Sequence, residues 1–158
     1  IWVPLLLTLS TITQAPSDHN FYWAAQLGPT ANDIWSAIPD GSGGFYVAHT
    51  DHPPGGDFPA RLWVTRVGSS GTVRWAVMVD PDSPLGEDGP FQYYGYLVPD
   101  GEGGVIVTYL EFFGVSDASG TSTSRVQRVN ANGELLWGAR GPEIVPGEYL
   151  YPHLMVAP

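Results

Sequence analysis

The chain has 158 residues, enough for one domain that buries roughly two-thirds of its unfolded surface. Its 20 glycines and 15 prolines stand beside 6 Trp, 8 Tyr and 6 Phe, a composition of strands and turns around a core that excludes a disordered chain. A formal charge of −10 with no lysine leaves no basic footprint for nucleic acid or an anionic membrane surface, and the absence of cysteine excludes disulfides and thiolate metal sites.

The first element, IWVPLLLTLSTITQA at 1–15, is an apolar run that ends in small residues and lacks an initiator Met. It reads as a partial secretory signal peptide, with Thr13-Gln14-Ala15 as the cleavage site. The run is too short for a comfortable membrane span. The expected location is therefore extracytoplasmic, either secreted or at the cell surface. Residues 16–30 follow, containing FYWAAQL (21–27) as an isolated strand.

From there the chain repeats itself. PDGSGGFYVA at 39–48 returns as PDGEGGVIVT at 99–108, and RVGSSGTVRW at 66–75 returns as RVNANGELLW at 128–137. Flanking traces extend the pattern: FYWAAQL resembles VRWAVMV (73–79), and LMVAP (154–158) resembles YLVPD (96–100). Each copy reads as four short strands: A at 34–38 and 93–98, B at 45–50 and 105–110, C at 62–67 and 124–129, and D around Trp75 and Trp137. The glycine-dense stretches are the A–B and C–D turns, where tight hairpins need positive φ.

Four-stranded units at this interval predict an all-β fold, a β-propeller fragment of about two antiparallel blades with partial flanking blades. The expected division is 31–79 for the first blade, 80–140 for the second and 141–158 for the start of a third. Residues 16–30 then supply a D-type strand that closes the ring. The remaining blades would belong to a longer chain.

The pattern D-G-x-G-G-hydrophobic run, then Q-R-V-n-x-x-G-x-x-W, resembles the bacterial β-propeller repeats of secreted and surface proteins. The resemblance spans roughly 30–158 and implies the fold; it implies no single activity. The first copy departs from it at one position, with Thr65 where the second has Gln127.

The A–B and C–D turns are nearly constant between copies, and the connections at the other end are not. B–C reads DHPPGGDFPA (51–60) and EFFGVSDASGTST (111–123), and D–A reads DPDSPLGEDGPFQ (80–92) and GARGPEIVPGEYL (138–150). Variable connections on a constant frame are where binding residues gather. The candidate ligand-binding residues are Asp51, His52, Asp57, Phe58, Glu111, Phe112, Phe113 and Tyr149. Asp80, Asp82, Glu87 and Asp88 form an acidic stretch suited to Ca²⁺, without the ligand spacing of an EF-hand loop. No other cofactor is indicated.

His49 and His52 have zinc-like spacing but no evident third ligand. Asp57 with Asp80, or Asp51 with Glu111, are pairs that a glycosidase would need at a set separation. The repeated Arg66 and Arg128 read as structural partners of Asp40 and Asp100, and Trp75 and Trp137 as packing between blades. Trp35 and Trp63 have no counterpart and are open to ligand stacking or to burial. The leading expectation is a binding or interaction module for a carbohydrate or protein at the cell exterior. The alternative is an extracellular enzyme acting on polysaccharide, or an accessory domain of one.

Overall fold

The computed structural model describes residues 27, 31–51, 60–82, 91–113 and 121–146. They form eight strands in two antiparallel sheets, with no helix among the described residues. Sheet 1 has the order β1-β2-β3-β4: Ala31–Pro39, Phe45–Asp51, Arg61–Val67 and Val73–Met78. Sheet 2 has the order β5-β6-β7-β8: Phe91–Pro99, Val105–Phe113, Thr121–Val129 and Glu143–Pro146. The predicted strands A, B and C fall inside these elements in both copies. The signal stretch 1–15, FYWAAQL up to Gln26 and the trace at 154–158 lie outside the described residues.

Both A–B hairpins are built alike. The Asp40 carboxylate accepts the Ser42 and Gly44 N–H groups, each at 2.8 Å, and Asp100 accepts those of Glu102 at 2.8 Å and Gly104 at 2.7 Å. Gly41, Gly43, Gly101 and Gly103 take φ between 76° and 88°, which a side chain would resist. From strand C, Arg66 Nε donates to Asp40 at 3.0 Å and Arg128 Nε to Asp100 at 2.9 Å, so each repeated arginine pins its own hairpin. Burial raises the Asp40 pKa, but hydrogen bonds from Ser42, Gly44 and Arg66 outweigh it and lower the value to about 2. Asp100 is lowered in the same way, by Glu102, Arg128 and Gly104 against burial.

The fourth strands differ. In sheet 1, β4 pairs beside β3 with one register shift between Arg66 and Val67, Trp75 lying opposite Arg66 and Met78 opposite Trp63. In sheet 2 the expected strand at Trp137 is replaced by a single bridge, Leu135 to Val129, after which the chain swings out. Gly138 and Gly141 take positive φ there, and pairing resumes only at Glu143 opposite Arg125. Gln127 fills the gap: its side-chain oxygen accepts the Trp137 N–H at 3.1 Å, and its Nε2 donates to the Gly138 carbonyl at 2.7 Å. A glutamine amide carries both donor N–H groups and an acceptor oxygen, so it can satisfy the groups that a strand's backbone would otherwise pair. Thr65 has no such gap to fill, which accounts for that departure of the first copy from the pattern. β8 pairs with β7 and completes sheet 2.

The sheets meet by unlike faces. Pairing of Tyr46 with Arg66 and of Ala48 with Val64 puts these four on one face of sheet 1, with Leu62, Trp75 and Val77. That face forms a core with Leu97, Val105, Val107, Tyr109 and Val129 of sheet 2. In the repeat register these are the counterparts of Ala37, Phe45, Val47, His49 and Val67, the opposite face of sheet 1. The contact is therefore head to tail, the kind of packing that further copies can extend. A bulge in β5, with Tyr94 at φ 59°, precedes Gly95, where a Cβ would lie 2.8 Å from Leu62 and 2.9 Å from Ala48.

Polar contacts complete the seam. The Trp75 indole N–H donates to the Ala131 carbonyl at 2.9 Å, Arg66 Nη1 to the same oxygen at 3.1 Å, and the Tyr46 hydroxyl to the Gly103 carbonyl. Buried Gln92 of β5 accepts the Leu62 N–H at 3.0 Å. Burying each large apolar side chain is worth about 1.5–3 kcal/mol, and the core holds many such side chains against the two hairpin ion pairs. The apolar seam therefore dominates the stability, and the hairpin pairs fix its geometry.

Candidate functional site

Opposite the hairpins, at the end where the copies diverge, four charged side chains converge between the sheets. Asp80 leaves sheet 1 just past β4, held there by the Val79 N–H on the Leu62 carbonyl at 3.1 Å. Glu111 stands in β6 and Arg125 in β7, while Arg140 lies in the outward swing before β8. Arg125 Nε donates to Glu111 Oε2 at 2.7 Å, and Arg140 Nη2 reaches both Glu111 oxygens at 3.0 and 2.9 Å. Arg140 Nε sits 3.4 Å from Asp80 Oδ2. The Tyr109 hydroxyl donates to the Arg140 carbonyl at 2.6 Å, and Arg125 Nη1 to that of Gly141 at 3.2 Å, so the swing is anchored to the cluster.

The two carboxylates are unequal. Glu111 has two guanidinium partners; Asp80 has only the longer contact to Arg140 and no hydrogen bond to either oxygen among the described residues. Burial raises the Asp80 pKa first and the neighbouring Glu111 charge second. Arg140 and Arg125 oppose both, leaving the value at about 6. A carboxyl poised there can hold or release a proton near neutrality. Both carboxylates have 0% exposure, however, whereas the Arg140 side chain is 39% exposed. Solutes meet the outer edge of Arg140, in a shallow depression of about 700 Å³ that also includes Asp82, Val126, Trp137 and Pro142.

No family model, curated protein or solved structure matches this chain. The geometry alone carries the functional argument.

The expected site residues sort into three groups. Glu111, Phe112 and Phe113 are strand residues, because β6 extends through them before the B–C connection begins. Glu111 faces its arginines rather than solvent, and Arg140 lies over the Phe113 ring at 5.8 Å from its centre. Asp51 closes β2 opposite Arg61 and is half-buried. His52, Asp57, Phe58 and Tyr149 lie outside the described residues.

Of the calcium candidates, Asp80 turns inward to the arginine cluster and Asp82 is exposed, while Glu87 and Asp88 lie outside the described residues. Among the described residues, no three acidic or histidine side chains are grouped to hold a metal ion. His49 is 3% exposed and bonds Thr65 Oγ1 through Nε2 at 2.9 Å, and burial lowers its pKa. It is a core histidine. Trp35 packs half-buried against Tyr94, with ring centres 4.8 Å apart, and Trp63 is half-buried in β3.

The carboxylates that do meet are thus Asp80 and Glu111, a pairing across the two suggested in the sequence. Arg125 and Arg140 were missed. Their signal was available: neither has an arginine counterpart in the first copy, so their charges have to be answered within the second. No helix among the described residues is long and apolar enough to cross a membrane.

Proposed function

We propose that the chain belongs to a secreted or cell-surface β-propeller that serves as a binding or interaction module, with a carbohydrate or protein ligand held at the end opposite the Asp-Gly-x-Gly-Gly hairpins. The observation that carries this reading is the contrast between the two ends. One end uses the same Asp–Arg pins in both sheets. The other differs between them and exposes Asp82, Arg140 and Trp137 over a sealed ion cluster. The head-to-tail packing supports the propeller, since a ring of sheets needs unlike faces in contact.

A second reading is favoured by Asp80, whose raised pKa suits a general acid in a polysaccharide-cleaving enzyme. Its complete burial argues against that role in this arrangement.

Retention of the chain on extracted cell-surface polysaccharides and on surface proteins separates the two. A binding module is retained on one of these supports, and Asp82→Arg weakens retention several-fold with an unchanged melting temperature. Polysaccharide cleavage that disappears in Asp80→Asn would establish the enzyme instead. No retention on either support rules out the binding reading.

A further inference from the structure

The seam between the sheets is a joint with two halves. The donor half is Trp75 with Arg66, both hydrogen-bonded to the Ala131 carbonyl. The acceptor half is the turn after β7, where Gly133 leaves room for the indole: a Cβ there would lie 2.9 Å from the Trp75 ring.

Each sheet also carries the half that the seam does not use. In sheet 2, Trp137 and Arg128 are the sequence counterparts of Trp75 and Arg66. Trp137 is 40% exposed, and neither its indole N–H nor Arg128 Nη1 has a hydrogen-bond partner among the described residues. Leu136 and Ile144 are also exposed, at 44% and 47%. In sheet 1, the turn after β3 repeats the acceptor half. Ser69 stands where sheet 2 has Ala131, and Gly71, at φ 79°, where it has Gly133 at φ 87°. Ser69 is exposed, and its carbonyl accepts no hydrogen bond among the described residues.

We propose that Trp137 and Arg128 form a docking face for a second copy of this chain, seated head to tail so that its Ser69 carbonyl takes the indole and guanidinium hydrogen bonds. The internal seam is the template: a Trp–Arg pair set on a turn with a glycine at positive φ already binds sheet 1 to sheet 2. Because the two halves lie on different sheets, each molecule gives one face and offers the other. Association grows past the dimer instead of closing on a two-fold axis.

Sedimentation velocity of the 158-residue chain tests the joint, from micromolar to hundred-micromolar concentration. The wild type is expected to form dimers and longer species as concentration rises. Trp137→Ala removes the donor half at an exposed position. Gly71→Asn fills the indole's seat with a residue that tolerates positive φ. Either variant alone stays monomeric, and an equimolar mixture, with one intact half from each, gives a dimer and nothing larger.

A wild type that remains monomeric throughout overturns the proposal, as does association that survives Trp137→Ala. So does a mixture in which both variants are folded by circular dichroism and still fail to pair. The joint and the ligand-binding reading fail separately: a monomeric chain that is retained on polysaccharide overturns the joint alone.

Discussion

Glu111→Ala is expected to lower the unfolding free energy by about 3–5 kcal/mol, the usual cost of removing one partner from a buried ion cluster. Glu111 is fully buried and takes charge-assisted hydrogen bonds from Arg125 and Arg140 at 2.7–3.0 Å. Its loss leaves Arg125, whose side chain is 12% exposed, without the carboxylate it grips, and releases the hold of Arg140 on the swing before β8. A denaturant titration measures the loss. A change below about 1 kcal/mol, the range of an exposed pair, would contradict the cluster.

The milder Glu111→Gln tests the electrostatics. Asp80 has a folded pKa of about 6, above the ordinary 3.8, so the folded state binds its proton more tightly than the unfolded chain does. The stability this group contributes is full below the unfolded value and is lost as pH rises through about 6. Removing the like charge of Glu111 lowers the Asp80 pKa. The stability lost across that window should shrink in the Gln variant. An unchanged pH profile would mean that Glu111 does not act on Asp80.

Gly104→Ala is the second large effect, at about 3 kcal/mol. The added Cβ would lie 2.3 Å from the Val129 carbonyl oxygen and 2.9 Å from Asp100 Oδ2. Neither neighbour can yield easily: one is strand backbone, and the other belongs to a carboxylate that accepts the Gly104 N–H at Oδ1 and Arg128 Nε at Oδ2. Gly101→Ala is the control. Its φ of 81° resists a side chain, but nothing lies within 4 Å, so only the backbone cost of about 1–2 kcal/mol applies. Equal unfolding midpoints for the two variants would mean that close approach is not what requires glycine at 104.

The hairpins were legible in the sequence because their causes are local. Asp-Gly-x-Gly-Gly encodes its own turn, and an arginine repeated in strand C answers an aspartate repeated in the turn. The fourth strand of the second sheet was not legible, because Trp137 matches Trp75 in sequence while the next residues decide its pairing. Gly138, Gly141 and Pro142 break the strand there, and only the fold reveals that Gln127 spans the break.

Strand alternation can fix which residues share a face, but not which face of one sheet meets which face of the next. For that reason Asp80 and Glu111, thirty-one positions apart, could not be paired in advance. Glu111 read as a loop residue because the apolar run of β6 gives way to an acid at that point; burial beside two arginines lets the strand continue through it.

The two repeats stack by unlike faces, with the Trp75 indole on the turn of the second sheet. Nuclear Overhauser contacts from the tryptophan indole N–H protons in the folded chain test it most directly. The Trp75 proton should show contacts to Ala131 and Gly133 that the Trp137 proton lacks. A Trp75 indole without contacts to that turn would contradict the stack and the joint built on it.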